Sequence, residues 1–353
     1  MGTTADKLNK ILESKAAIKA AIEAKGVSNV GDVLAEYPDK IASISGGGGK
    51  FVVPDGMKFG YSEVFDATQF DVSQVTDMSY MFYQYKGTSL DLSSWDTSNV
   101  TDMNFMFGNC EKVTSFDLQS LNVDNVTKMS YLFYYCKAAK SINLTGWNTS
   151  NVTDMSYMFN NCIVLTSIDD ISGFKDLDMS KVTTMKYMFN YCSKLASVDL
   201  TLNAPNLTST VSMFGICKEL TSVIINSPSN PELTDISYMF DTCEKLTDID
   251  LSNFDISNVS NIFYMFLRCP ALVNLKLKGI GEYSGTSSYG LTLDLTSCEN
   301  LSKESVLYLF NNAFDRKAAE YTKAFTIKLN ATTKALLTDD EIAIATNKGF
   351  TVV

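Results

Sequence analysis

Apolar and polar residues alternate over a few positions in a short segment that returns along most of the chain. In most copies two apolar residues flank one polar residue, which is the pattern of a half-buried β-strand. The apolar pairs are Leu90/Leu92, Phe116/Leu118, Ile142/Leu144, Val198/Leu200, Val223/Ile225, Ile249/Leu251, Leu275/Leu277 and Leu293/Leu295. We expect these side chains to point to one face of a sheet and to form the core.

A second segment in each copy has apolar residues spaced three and four apart. Spacing of this kind predicts a short helix with one buried side, and its clearest copy comprises Val100, Met103, Phe107 and Cys110. A threonine after the polar turn is expected to cap this helix. Asp102 or Asp154 would then lie in the first turn, where the helix dipole favours a carboxylate.

Cysteines mark the length of the repeat. They stand at 110, 136, 162, 192, 217, 243, 269 and 298, which gives gaps of 26, 26, 30, 25, 26, 26 and 29 residues. A period of 20 to 29 residues with alternating apolar positions is typical of a leucine-rich repeat. We therefore predict an α/β solenoid with a period of about 26 residues, one strand and one short helix per turn, and a parallel sheet on one face.

The repeat pattern divides the chain into five parts. We predict a helical docking or oligomerisation segment at 1–45, a glycine linker at 46–50, an N-terminal cap at 51–69, the solenoid at 70–298 and a C-terminal cap at 299–353. Pro54 and Gly56 mark a turn in the first cap. Ser302 is expected to begin a helix in the second cap, and two strand-like runs follow it.

The first segment contains an amphipathic pattern that ends at Gly26. Its apolar side comprises Leu8, Ile11, Leu12, Ile18 and Ile22. Because a helix on a glycine linker has no core of its own, we expect it to oligomerise or to dock on another protein. A homotrimer is the favoured assembly.

The amino-acid composition argues against several classes of function. The formal charge of −11 and the lack of a basic cluster argue against nucleic-acid binding. The chain has no histidine, the commonest general base and metal ligand, so we expect no catalytic residue, no metal and no cofactor. No run of residues is apolar enough to insert into a membrane, and no secretory signal is apparent, so we expect synthesis in the cytoplasm.

The residue between the two apolar strand positions must point outward. The polar members of this set are Asp91, Asp117, Asn143, Asp199, Asp250 and Asp294. Stacking would place neighbouring carboxylates about 4.8 Å apart, where they repel unless a cation, water or a ligand intervenes. This outward face could bind sugar hydroxyls or calcium, or it could be a solvated polar face, which we favour.

The cysteines and two tryptophans offer further candidates. The residues Cys110, Cys136, Cys162, Cys192, Cys217, Cys243 and Cys269 lie about one turn apart without a C-x-x-C pair, which favours a buried thiol ladder over zinc ligands. Trp95 and Trp147 share one position just past the strand. If exposed they would stack on a sugar or a protein, and core packing is the alternative.

The repeated motifs resemble a known family. SNVTDMSYMF, with LDLSSWDTSNVTDM ahead of it and a cysteine three residues past the phenylalanine, closely resembles the BspA-type leucine-rich repeats of bacterial surface proteins. The resemblance covers about residues 64–275. It implies adhesion to a protein or glycan on a host or partner cell.

The segment ADKLNKILESKAAIKAAIEAKGVSNVGDVLAEYPDKIASI is similar to the N-terminal segments of tail-fibre-like virion proteins from gut phages. This similarity implies a phage appendage, carried on the virion and held by other virion proteins through residues 1–45. We therefore expect host attachment by a virion fibre. A BspA-type adhesin on the bacterial surface is the first alternative, and an intracellular interaction scaffold is the second.

Overall fold

The computed structural model describes residues 50–227, 229–283 and 291–353. The segment 1–45, predicted to be helical and to oligomerise through Leu8, Ile11, Leu12, Ile18 and Ile22, lies outside the described residues. The chain divides into two compact units. The first comprises Met1–Asn151 and Ile171–Leu177, and the second comprises Val152–Asp170 and Asp178–Val353.

Short parallel strands organise the first unit. They are β1 (Phe51–Val52), β2 (Phe70–Asp71), β3 (Ser115–Asp117), β4 (Ser141–Asn143) and β5 (Ile171–Ser172). β1 pairs with β2, and β3, β4 and β5 form a second sheet in that order. Phe116 and Ile142 are opposite each other in the sheet and both are buried. The residues on either side of each point outward, which matches the alternation predicted from the sequence.

The second unit contains two larger parallel sheets. One consists of β6 (Ser197–Thr201), β7 (Ser222–Asn226), β8 (Asp248–Leu251) and β9 (Asn274–Leu277). The other consists of β10 (Leu291–Leu295), β11 (Phe325–Leu329) and β12 (Phe350–Val352). In the first of these sheets, in-register side chains on successive strands come from positions 25 or 26 residues apart, as for Asp248 and Asn274. The parallel sheets and few helices confirm a solenoid-like α/β repeat fold.

The α-helices within the described residues lie near the C-terminus of the second unit. They are α1 (Lys303–Asn312), α2 (Ala331–Ala335) and α3 (Asp339–Asn347). Single 3-10 turns occur at Ala67–Gln69, Ile168–Asp170 and Phe174–Asp176. Ser302 caps α1 by accepting a hydrogen bond from the N–H of Ser305, as the sequence predicts. Thr338 and Glu341 form a reciprocal capping box at α3, which the sequence analysis did not identify. Across the described residues, no helix combines the length and apolar character needed to cross a membrane.

The prediction of a short helix in each repeat is wrong. In the best-matching copy the N–H groups of Met106 and Gly108 donate to residues three positions earlier. The N–H of Phe107, between them, donates to Leu132 of the next repeat. An α-helix needs every interior N–H to bond four residues back. Because alternate N–H groups are used by the neighbouring repeat, the segment forms successive tight turns instead.

The residues predicted to cap and begin that helix have other partners. The hydroxyl of Thr101 donates to the carbonyl of Thr76 in the preceding repeat, at 3.2 Å. The Asp102 carboxylate accepts the N–H of Asn104, and Asp154 accepts that of Ser156. These are local turns closed by an aspartate side chain. The Thr101 bond links two neighbouring repeats, and none of these residues caps a helix.

Phenylalanine rings stack through the interior of both units. In the first unit Phe107 lies parallel to Phe82 and Phe133, with centroids 5.9 and 5.5 Å away. In the second, Phe214 lies parallel to Phe189 and Phe240 at 5.6 and 5.9 Å. A single repeat cannot bury such a ring alone, so each repeat depends on its neighbours for its core.

An aspartate side chain ends one series of main-chain hydrogen bonds between repeats, which we call a main-chain ladder. It does so at the first repeat. In the next repeat the N–H groups of Thr101 and Asp102 donate to the carbonyl of Thr76, at 2.8 and 3.3 Å. The N–H groups of Thr76 and Asp77 instead donate to Oδ1 of Asp55, at 2.8 and 3.1 Å. The Asp55 carboxylate therefore stands where the carbonyl of a preceding repeat would be.

Candidate binding surface

The outward strand face does not bring its carboxylates together in the way that a carboxylate ladder requires. Its carboxylates lie beside neutral or cationic side chains: Asp117 beside Asn143 at 2.9 Å, Asp250 beside Lys276 at 3.1 Å, and Asp294 beside Lys328 at 4.0 Å. Asp199 is opposite Ile224 on β7. No two of these aspartates face each other in a described strand pair, so their carboxylates do not repel one another there.

Asp91 also has a local partner. The N–H of Ser93 donates to its carboxylate at 2.9 Å, and this bond together with the Ser93 hydroxyl holds the pKa of Asp91 below its ordinary value. The part of the chain that the structure describes contains no group of three or more carboxylate or thiol side chains able to hold a metal ion. The outward face is therefore a polar surface with much of its charge compensated.

Both tryptophans belong to the core of the first unit. Trp95 and Trp147 are buried, and their indole N–H groups donate to the carbonyls of Ala67 and Leu118 at 3.1 and 2.9 Å. A buried indole with its only donor satisfied cannot contact a partner. The interpretation of these residues as exposed stacking platforms is therefore wrong. Both tryptophans pack in the core, which was the alternative prediction.

The cysteines are buried and form no disulfide. In the second unit the thiol of Cys217 donates to the carbonyl of Phe189 in the preceding repeat, at 3.2 Å, and Cys243 donates to Phe214 in the same way. Burial raises the pKa of Cys192 and Cys269 to about 12. Since the thiolate is the nucleophile and metal ligand, these residues act as small core side chains that link repeats.

A row of aromatic side chains on the turns is the feature that the sequence analysis missed. In the first unit the rings of Tyr80, Phe105 and Tyr131 stack in parallel, with centroids 4.7 and 4.1 Å apart. Tyr83 and Tyr134 lie edge-on to this stack, at 5.4 Å from Tyr80 and Tyr131 respectively. All five are half-buried. We call them the aromatic stripe.

The successive turns position the aromatic stripe. Tyr80, Phe105 and Tyr131 have φ values of 60°, 57° and 60°, in the left-handed region. Large side chains rarely adopt this conformation, which costs about 1–2 kcal/mol per residue. The stacking of the rings and the hydrogen bonds between repeats offset this cost. A sequence signal was present, because an aromatic residue recurs two positions before the buried phenylalanine of most copies.

The second unit has aromatic residues at the same turn positions. Tyr157 and Tyr187 stack at 4.6 Å, and Tyr238 lies 5.5 Å from Tyr264. Ser212 interrupts the series between them. The aromatic character is therefore weaker and less continuous in this unit.

Tyrosine hydroxyls give the aromatic stripe a polar component. Burial raises the pKa of Tyr80 and Tyr134 above the ordinary value. Both hydroxyls therefore stay protonated at neutral pH and can donate and accept hydrogen bonds. The ammonium group of Lys58 lies over the Tyr80 ring, 4.9 Å from its centroid. The surface thus combines apolar ring area, neutral hydroxyls and a cation.

Comparison with known families identifies the repeats. The family described as "Mycoplasma protein of unknown function, DUF285" matches residues 56–168, 139–227 and 200–280. Together these matches cover more than half of the chain. The chain belongs to the DUF285 family. The tandem matches to DUF285 indicate a repeat-containing family of Mycoplasma-type surface proteins with BspA-like repeats.

The DUF285 matches confirm the resemblance to BspA-type repeats. No similarity to phage tail-fibre proteins is shown, so that part of the sequence interpretation stays a hypothesis. Comparison with curated proteins found no match.

Proposed function

We propose that this DUF285 family member is a non-enzymatic binding protein that attaches to a macromolecule on a cell surface through its aromatic stripe. The observation that carries the proposal is the row of five half-buried aromatic residues on consecutive repeats. Membership of a repeat surface-protein family supports a binding or adhesin role.

The geometry of the aromatic stripe suits recognition. Tyrosine and phenylalanine supply large contact area with few rotatable bonds, and tyrosine adds a hydroxyl. Because Tyr80, Phe105 and Tyr131 already hold one another in a stack, binding a partner would cost little side-chain entropy. The main-chain hydrogen bonds between the turns fix the spacing of the rings in the same way.

We propose in addition that the repeats are leucine-rich repeats of about 26 residues, preceded by a helical segment that oligomerises or docks. In-register residues 26 positions apart, such as Asp117 and Asn143, support the period. Family membership favours display on the bacterial surface, with a protein or glycan of another cell as the partner. The virion appendage remains the alternative, and it rests on residues 1–45 alone.

Location distinguishes these two alternatives. An adhesin should appear in the envelope fraction of the bacterium that carries the gene, detected by an antibody against the full chain. A virion appendage should appear instead in the mass spectrum of purified phage particles from the same culture. Detection in particles and absence from the envelope would contradict the adhesin.

Removing two rings of the aromatic stripe should weaken attachment. We expect Tyr83→Ser combined with Tyr134→Ser to reduce binding of the purified full chain to cells by about tenfold, since aromatic residues dominate binding energy at most interfaces. Flow cytometry on a panel of bacterial and animal cells would measure it. Tyr308→Ser makes this substitution once, at a half-buried position of α1, and should leave binding unchanged.

Two results would contradict the proposal. One is the absence of binding to every cell type in the panel. The other is an equal loss of binding in the Tyr308 variant, which would indicate a general effect of removing surface tyrosines.

A further inference from the structure

A small polar cleft lies beside the aromatic stripe in the first unit. It has a volume of about 170 Å³ and is lined by Gln84, Tyr85, Lys86, Asn109, Glu111 and Lys112. Gln84 directly follows Tyr83, so the cleft adjoins the stripe along the chain. Its lining comes from the same turn in two successive repeats, because the N–H of Gln84 donates to the carbonyl of Gly108.

Positive charge is concentrated at this cleft in a chain whose net charge is −11. Lys86 and Lys112 are exposed, and neither forms an ion pair with any residue that the structure describes. The single acidic residue in the lining, Glu111, is engaged by Lys137 at 3.1 Å. Two unpaired ammonium groups therefore remain for a ligand, and they favour an anion.

Two side-chain amides add hydrogen-bonding capacity. Gln84 and Asn109 occupy equivalent turn positions, with φ values of 64° and 58°. Within residues 50–227, 229–283 and 291–353, neither amide group makes a hydrogen bond. An amide offers a donor and an acceptor together, and a sugar hydroxyl has the same pair of roles. The hydroxyl of Tyr85, in contrast, already donates to the carbonyl of Ser89 at 3.2 Å.

We infer that this cleft binds the carboxylated sugar of an acidic glycan, of the sialic acid or uronic acid kind. Lys86 and Lys112 would hold the sugar carboxylate, and the amides of Gln84 and Asn109 would bond to its hydroxyls. The cleft is too small for more than one sugar, so the next residues of the glycan lie against the aromatic stripe. The inference deepens the proposed function, on which it rests, by naming the class of ligand.

An acidic peptide is the competing ligand, because it also presents carboxylates. The observations favour the glycan for two reasons. The paired amides match hydroxyl groups better than a peptide's isolated carboxylates, and tyrosine rings offer both apolar area and hydroxyls to a sugar. A peptide of glutamates therefore belongs in the test as a probe.

Calorimetry with the purified full chain tests the inference. The probes are 3′-sialyllactose against lactose, a hyaluronan tetrasaccharide against chitotetraose, and hexaglutamate. We expect one acidic glycan, sialylated or uronic, to bind about tenfold more tightly than its neutral counterpart and than hexaglutamate. The pair that shows this difference identifies the source of the carboxylate.

Lysine variants connect that binding to the cleft. Lys86→Gln combined with Lys112→Gln should reduce the affinity for the acidic glycan to that of the neutral one, about tenfold. Lys186→Gln combined with Lys194→Gln makes the same charge change at exposed positions in the second unit and should retain full affinity. All four side chains are exposed, so neither pair of substitutions should affect folding.

Several outcomes would overturn the inference: no binding of either acidic glycan, equal binding of the neutral glycan or of hexaglutamate, or unchanged affinity in the Lys86 and Lys112 variant. A failure of this inference can be distinguished from a failure of the proposed function. If no glycan binds but cell attachment still depends on Tyr83 and Tyr134, the inference is wrong and the binding role of the aromatic stripe stands.

Discussion

Replacing Phe214 with alanine should lower the free energy of unfolding by about 3–5 kcal/mol. The Phe214 side chain is fully buried, and its ring lies parallel to those of Phe189 and Phe240. The substitution removes the apolar contacts of one ring and leaves a cavity between two others. Because each repeat completes its core on its neighbours, the loss should weaken the adjacent repeats as well. Urea denaturation followed by circular dichroism measures the change.

Phe263→Ala is the matched control for this prediction. Phe263 belongs to the same unit and has 39% of its surface exposed. Its removal should cost less than about 1 kcal/mol. Equal shifts in the two variants would contradict the view that the internal phenylalanine stack, and not aromatic content in general, stabilises the repeats.

The second large effect is expected at Arg316, which joins the C-terminal segments of the second unit. Only 1% of this residue is exposed. Its guanidinium donates to the carbonyls of Gly281, Tyr283 and Lys323, and burial lowers its pKa. Arg316→Ala leaves these carbonyls without a donor and should lower the free energy of unfolding by about 3–5 kcal/mol.

Amide hydrogen exchange localises this effect. We expect the amides of β11 (Phe325–Leu329) to lose most of their protection, because the Arg316 guanidinium also lies 5.9 Å from the Phe325 ring. Arg268→Ala is the control, since Arg268 is exposed and pairs with Asp241 on the surface. A surface pair contributes about 1 kcal/mol or less. Unchanged exchange in β11 of the Arg316 variant would refute the anchoring role.

Most strands could be predicted from the sequence, and the turns between them could not. The predicted strand at Leu90 and Leu92 is wrong, since both residues are buried without forming a strand. The alternation of Val198 and Leu200 indicates β6 directly, because burial in a strand has a period of two. The three- and four-residue spacing from Val100 to Cys110 indicates burial correctly but not its geometry. Successive turns bury the same positions as a helix. The left-handed conformation of Phe105 has no signature in residue type, since it depends on bonds to the next repeat.

The candidate site was harder to predict than the fold. Outward strand residues such as Asp117 stand out in the sequence, and their neutral partners become visible only when the strand register is known. Trp95 lies beside polar residues in the sequence and is nevertheless buried, because its indole reaches back to Ala67. The aromatic stripe was hidden for the same reason as the turns: a helix would not have brought Tyr80 and Phe105 into a stack.

The Asp55 carboxylate also bears on whether a second chain can add to this end of the repeats. Stacked repeats with free main-chain N–H groups at one end offer a template on which another chain can add. Oδ1 of Asp55 accepts the N–H groups of Thr76 and Asp77, and Oδ2 accepts the Thr76 hydroxyl. These donors are therefore closed to a second molecule. A single side chain thus occupies the place that the carbonyl groups of a second chain would take at this end of the ladder.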